Sequence, residues 1–333
     1  MTRPARPWLW PLAPAYRLTL ALRAAQLRTG LMPVRRLRWP VVSVGNLAVG
    51  GAGKTPLAIA LAQALAARGI CVDVLSRGYG RPRSTPPLRV DPHGDAERFG
   101  DEPLVIARVV GVPVFVAPDR YQAGLLAERS GPSGSGLHLL DDGFQHRRLH
   151  RDLDILLLSR RDLADHLLPA GNLREPLHAA ARASVFAIPQ DEPDVADWIG
   201  AQGWERPVWR LSRRMDVPPC DGPVVAFCGI AQPHQFFAGL ERAGLRIAAR
   251  FAFADHHRYS AGDLQRIAAA ARGAHASLLL TTEKDRARLG SLSANLSAGV
   301  PLQAVPLRIC IDNESEAIAW LVARLQTIAG RPD

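Results

Sequence analysis

Short β-branched runs alternate with longer alanine- and leucine-rich stretches along this chain, the pattern of strands and helices taking turns. Val41-Val42-Ser43-Val44 reads as a strand, and a glycine loop follows it. Residues 57–67 then read as a helix closed by Gly69, and residues 71–75 return as a strand. Strand, crossover helix and strand make a βαβ unit, which requires a parallel sheet with a right-handed connection. Further strands are expected over 112–116, 137–140, 155–158 and 185–188. Between the first two lie a helix over 120–129 and a Ser-Gly connector over 130–136, while 81–100 reads as a long loop. A second α/β unit is expected from Pro207 on, with strands over 224–228, 245–253 and 277–281 and helices over 233–243, 261–271 and 312–325.

The first residues break this rhythm. Pro7-Trp8-Leu9-Trp10-Pro11-Leu12 and residues 16–31 are apolar and aromatic. Pro11, Pro14, Arg17 and Arg23 interrupt them well short of the ~20 consecutive apolar residues a spanning helix needs. Basic residues continue through the stretch and no small-residue cleavage site closes it, which argues against a secretory signal. The pattern fits an interfacial segment, with Trp8, Trp10 and Tyr16 at headgroup depth and the arginines on anionic lipid. A helix packed on the protein's own core is the competing reading. Three segments result: a basic, apolar segment over 1–38, a core domain over 39–206 and a smaller α/β domain over 207–333 that completes a cleft.

Charge sharpens the picture. The formal net charge is +10, and no Asp or Glu precedes Asp73, so the positive end is the N-terminal end. That balance calls for an anionic partner: nucleic acid, anionic lipid or a phosphorylated substrate. Among 41 basic residues only Lys54 and Lys284 are lysines. Against such an arginine bias, a retained lysine marks a place that needs a compact ammonium, although an ordinary surface position is the alternative for Lys284. Cys71, Cys220, Cys228 and Cys310 have no C-x-x-C spacing and form no dense framework, so neither a zinc cluster nor a disulfide scaffold is indicated and a reducing cytoplasm fits best.

The strongest chemical signal is Gly50-Gly51-Ala52-Gly53-Lys54-Thr55, set between strand and helix. Glycines let backbone N–H groups curl around phosphate oxygens, and the helix N-terminus favours anions. Lys54 reaches the β- and γ-oxygens of a nucleoside triphosphate, and Thr55 can hold Mg2+. Ala48 stands where the usual loop begins with glycine, and Gly50 and Gly51 supply the flexibility instead. The expected fold is therefore α/β: a P-loop NTPase parallel sheet flanked by helices, a second smaller α/β unit and an N-terminal membrane-associated helical segment. A second signal is Leu137-His138-Leu139-Leu140-Asp141-Asp142, an apolar strand ending in carboxylates. It would bring Asp141 or Asp142 to the metal held by Thr55.

Weaker pieces lie near expected strand ends: Gly100-Asp101-Glu102-Pro103, Asn172-Leu173-Arg174-Glu175-Pro176 and Asp255-His256-His257. A kinase acting on a hydroxyl needs a group to receive the proton and a cation to neutralise the moving phosphoryl group. Asp101 with His256 can supply the first and Arg174 the second; each alone also reads as a salt-bridged or capping loop residue.

Taken together, the pieces resemble the tetraacyldisaccharide 4'-kinase family. The resemblance is carried by Gly45-Asn46-Leu47 leading into the glycine loop, Ser76-Arg77-Gly78-Tyr79-Gly80, Gly100-Asp101-Glu102-Pro103, Asp141-Asp142-Gly143-Phe144-Gln145-His146, Leu173-Arg174-Glu175-Pro176, Phe253-Ala254-Asp255-His256 and Thr282-Glu283-Lys284-Asp285. Asn172 stands where proline is expected. The resemblance implies ATP and Mg2+, an acylated disaccharide phosphate as acceptor, and a peripheral place on the cytoplasmic face of a bacterial inner membrane. It implies that Asp101 and His256 form the proton-accepting pair, and that Asn46, Glu102, Gln145 and Glu175 serve the substrate. No obligate protein partner is expected.

Two other readings weaken on inspection. Membrane-recruited nucleotide switches carry lysine at the place of Val49. A nucleic-acid-dependent ATPase would need aromatic stacking platforms among the arginines, and no nucleic acid is expected as a partner.

Overall fold

The structure, a computed structural model, describes residues 6–79, 81, 85–131, 136–296 and 299–329. Residues 1–5 of the N-terminal segment, Gly80 of the Ser76–Gly80 motif, residues 82–84 of the loop expected over 81–100 and residues 132–135 of the Ser-Gly connector lie outside the described residues.

Thirteen strands form among the described residues. In chain order they are β1 (Val41–Asn46), β2 (Val72–Ser76), β3 (Leu88–Arg89), β4 (Val114–Val116), β5 (Leu137–Asp141), β6 (Leu153–Leu157), β7 (Val185–Pro189), β8 (Val208–Met215), β9 (Val224–Cys228), β10 (Ile247–Ala252), β11 (Leu278–Thr282), β12 (Leu302–Val305) and β13 (Leu307–Ile311). The large sheet runs β13-β8-β7-β6-β1-β5-β2-β4-β3, parallel throughout except for antiparallel pairing at its two edges. A smaller, all-parallel sheet runs β10-β9-β11-β12.

The central strands β1, β2, β4, β5 and β6 are buried along their whole length, as apolar strands covered on both faces must be. On one face, Leu57, Leu61 and Leu65 of the helix Lys54–Ala66 are fully buried against the sheet, each contributing about 2 kcal/mol by the usual area relation. The helices Asp101–Val110 and Glu314–Ala329 join the same layer. On the other face, Phe144, Phe186 and Ile199 centre one core, and Ala123 and Ala127 of the helix Arg120–Ser130 anchor another.

The chain's second half does not stay in its own unit. β8 pairs with β7, and β13 returns to pair with β8, so residues 208–215 and 307–311 extend the large sheet while residues 224–305 build the small one. The loop expected over 81–100 contains the edge strand β3 and the short helix Ala96–Phe99.

The N-terminal segment is helical: a 3-10 turn over Pro7–Leu12 leads into the helix Ala13–Arg28. No residue of either is buried, but Tyr16 and Leu20 pack on the Phe144 core. Among the described residues no helix is long and apolar enough to cross a membrane.

Candidate active site

β1 lies between β5 and β6, and its end opens directly into the glycine loop. Gly53 caps the following helix at φ 93°, a left-handed conformation that glycine adopts without strain. Gly45 is needed for a different reason. A Cβ there would lie 2.5 Å from that of Phe144, so only glycine lets β1 and the Asp141–His146 segment meet.

Lys54 Nζ donates to Asn46 Oδ1 at 2.9 Å and lies 3.6 Å from Asp142 Oδ1. Thr55 Oγ is 3.4 Å from each oxygen of Asp141. The two adjacent carboxylates therefore have different neighbours. Asp142, at φ 52°, receives a two-pronged guanidinium from Arg174 at 2.8 and 2.9 Å. Burial works against its charge, but Lys54 and Arg174 hold its carboxyl well below the usual range. Asp141 lacks such a partner; burial first, then the charges of Glu102 and Asp142, push it up to about 7.

The opposite wall is built across the two units. Asp101 starts the helix Asp101–Val110 and is buried; His256, at φ 58°, comes from the loop after β10. His256 Nδ1 is 3.1 Å from Asp101 Oδ2, although the two residues are 155 positions apart. Tyr79 sets its ring against His256 at a tilt of 36°, with centroids 4.9 Å apart. Arg288, from the helix Glu283–Leu289, donates from Nε to Asp101 Oδ2 at 2.6 Å and from Nη1 to Asp285 at 3.0 Å. Burial opposes the charge on Asp101, but the His256 hydrogen bond and the Arg288 guanidinium outweigh it and hold the carboxyl well below the ordinary range. The same hydrogen bond raises His256 above an ordinary histidine.

The remaining expected residues divide into two groups. Asn46 accepts from both Lys54 and Arg174, and its carbonyl accepts from Gln145 Nε2 at 2.9 Å. Gln145 Oε1 is buried without a protein partner and is free to accept. Glu102 lies beside Asp101 and accepts from Lys284 Nζ at 2.5 Å. Glu175 is different: both its oxygens are taken by the Arg182 fork at 2.8 and 3.1 Å, and Arg182 in turn covers the Phe144 ring at 4.4 Å. It buttresses the Asp141–His146 segment from behind.

Sequence reasoning passed over Arg288, Arg120 and Arg213. Arg288 follows Lys284 by one helical turn, a spacing that could have placed both on one face. Arg120 is buried near Asp141 and Asp142 with its Nε unpartnered, and burial first lowers it to about 10. Arg213 of β8 donates to the carbonyl of Ala52 in the glycine loop at 2.9 Å. Nothing local in the sequence marks either one.

A glycine loop between strand and helix with a hydroxyl and a carboxylate beside it, facing an Asp-His pair, is the arrangement expected of a P-loop phosphotransferase. A model of the tetraacyldisaccharide-1-P 4'-kinase family matches residues 5–326. A tetraacyldisaccharide 4'-kinase of Koribacter versatilis is 41% identical over 330 residues, covering 96% of this chain and 99% of the relative. One from Geobacter metallireducens is 40% identical, covering 89% and 94%. Among solved structures, LpxK from Aquifex aeolicus in complex with ATP is similar with a TM-score of 0.73 and 31% identity, covering 95% of this chain and 98% of that one. The chain belongs to the tetraacyldisaccharide-1-P 4'-kinase family.

Proposed function

We propose that this protein transfers the γ-phosphate of ATP to the 4'-hydroxyl of a tetraacyldisaccharide 1-phosphate, giving lipid IVA, at the cytoplasmic face of a bacterial inner membrane. The observation that carries the site assignment is the meeting of Asp101 and His256 across two units, opposite the glycine loop and the Thr55–Asp141 pair.

The loop N–H groups and Lys54 bind and orient the phosphates. Asp101 has both oxygens occupied, by Arg288, His256 and the Glu102 N–H, so the open end of the pair is the imidazole. His256 Nε2 takes the acceptor proton, while Asp101 orients the ring and stabilises the imidazolium. The acceptor oxygen bonds to phosphorus as the bond to the leaving ADP oxygen breaks. Lys54 neutralises charge on the moving group, and Arg174 fixes Asn46 and Asp142 around it. Asn46, Gln145 and Glu102 face the substrate, while Glu175 supports them from behind.

The donor set fits magnesium. A buried carboxylate without a full cationic partner, Asp141, stands 3.4 Å from the Thr55 hydroxyl, an all-oxygen donor pair of the kind this hard cation takes. Thr55 and Asp141 would hold it, with Asp142 left to Arg174 and Lys54; bound there, it would supply charge neutralisation for the triphosphate.

The N-terminal segment supports a membrane location. Trp8, Trp10, Leu12, Leu18, Leu22 and Leu31 are exposed, and Leu18 and Leu22 lie one turn apart on the helix Ala13–Arg28. The inner side of that helix touches the site: the Tyr16 hydroxyl donates to the Arg174 carbonyl at 2.9 Å. An acylated sugar lying on this helix would reach the cleft with its chains still in lipid.

The test follows γ-labelled ATP with detergent-dispersed acceptor present or absent. Label that appears in the lipid only when acceptor is present supports the reading; label released to water at the same rate in both reactions overturns it.

A further inference from the structure

The chain contains only two lysines, and both end at the same group of carboxylates. Lys54 lies against Asp142, and Lys284 against Glu102. Lys284 is carried by the small-sheet unit, in the first turn of the helix Glu283–Leu289 that follows β11. A cation in a first helical turn opposes the helix dipole, so the position does nothing for its own helix. One turn further, Arg288 projects from the same face to Asp101. The second unit thus presents two cations to two adjacent carboxylates of the first.

The two cations are not equivalent. Arg288 is 8% exposed in its side chain and spends its donors on Asp101, Asp285 and the Gly229 carbonyl. Among the described residues Lys284 has one hydrogen-bond partner, Glu102, and its side chain is 31% exposed. An ammonium has three donors, so two remain. Its electrostatic neighbours after Glu102 are Asp101 and Asp141, one from the proton-accepting pair and one from beside the glycine loop. A phosphoryl group in transfer must lie between those two places.

We propose that Lys284 is a second catalytic ammonium, which contacts a non-bridging oxygen of the transferring phosphoryl group while Glu102 holds it in place. The proposal rests on the kinase reading above. Lys284 stays protonated throughout: the acceptor proton goes to the Asp101–His256 pair, the new bond joins acceptor oxygen to phosphorus, and the electron pair of the broken bond leaves with ADP.

The test compares ATP and ADP binding to Lys284→Ala by titration calorimetry without acceptor, together with turnover. A contact to the γ-phosphoryl predicts that ATP binds roughly tenfold or more weakly while ADP is unchanged, and that kcat falls on the order of 100-fold. Ethylammonium added to Lys284→Ala is to restore part of the turnover and to leave the wild type unaffected. Equal loss of ATP and ADP affinity would overturn the proposal, because it would show a role in holding the units together. Should Lys284→Ala fold poorly, Lys284→Gln carries the same comparison. Wild-type protein that binds ATP but never labels the lipid would defeat the kinase reading instead, and the ATP-to-ADP ratio would still judge Lys284.

Discussion

Arg288 binds Asp101 from the other unit of the molecule, with Nε 2.6 Å from Oδ2, and the same carboxylate oxygen meets His256 at 3.1 Å. A carboxylate held this way is a strong electrostatic partner and a weak base. The imidazole beside it becomes the group that exchanges protons at physiological pH.

The pH dependence of turnover follows from that division. Bonding to Asp101 raises His256 above the ordinary histidine value of 6.5, so its neutral, proton-accepting form is lost as pH falls through that raised value. In the wild type, kcat is predicted to fall on the acid side with a midpoint above 6.5. Asp101→Asn removes the charge that favours the imidazolium, so the acid limb moves to lower pH while the maximal rate drops on the order of 100-fold. A pH–rate profile of both proteins checks this, and an unmoved limb would take His256 out of the proton path.

Lys54→Ala removes the ammonium beside Asn46 and Asp142 and leaves a half-buried carboxylate with one partner fewer. Transfer is predicted to fall by a factor on the order of 1,000, with the fold intact by circular dichroism. Retention of more than a tenth of the activity would mean that the loop does not bind the transferred phosphate.

Changing Trp8, Trp10, Leu18 and Leu22 to serine removes exposed apolar surface from the N-terminal segment without touching a buried side chain. Co-sedimentation with anionic vesicles is predicted to weaken at least tenfold, and KM for the lipid to rise more than KM for ATP. Unchanged sedimentation would leave this helix as a local cover for the site.

Far from the cleft, His138 on β5 is fully buried, with Nδ1 2.8 Å from Asp73 and Nε2 3.4 Å from Glu128. His138→Phe strands the Asp73 carboxylate and is predicted to cost about 3 kcal/mol at neutral pH, read by urea unfolding. Burial raises Asp73 above its ordinary value, so the folded state holds its proton more tightly than the unfolded chain. The deficit is therefore predicted to shrink as pH is lowered through that window. A loss under about 1 kcal/mol would show that the cluster is held by packing alone.

The parts of this protein legible in the sequence are those written locally. The strand Val41–Asn46, the glycine loop and the helix Lys54–Ala66 are contiguous, and each states its own geometry. β8 and β13 were not legible. Arg210, Arg213 and Arg214 break the apolar pattern of β8, and its partner at Leu307–Ile311 comes only after the whole small sheet. Asp101 and His256 could be joined only through resemblance to a family, because neither neighbourhood refers to the other. The different fates of Asp141 and Asp142 depend on Arg174, which no local pattern ties to either.

The most direct measurement is the structure of the lipid product, by phosphorus NMR and mass spectrometry, after reaction with ATP and a tetraacyldisaccharide 1-phosphate. The account predicts one new phosphate monoester on the 4'-oxygen, with the 1-phosphate unchanged, and none with Lys54→Ala. An unmodified lipid in the presence of ATP turnover, or a phosphate added at any other position, would contradict it.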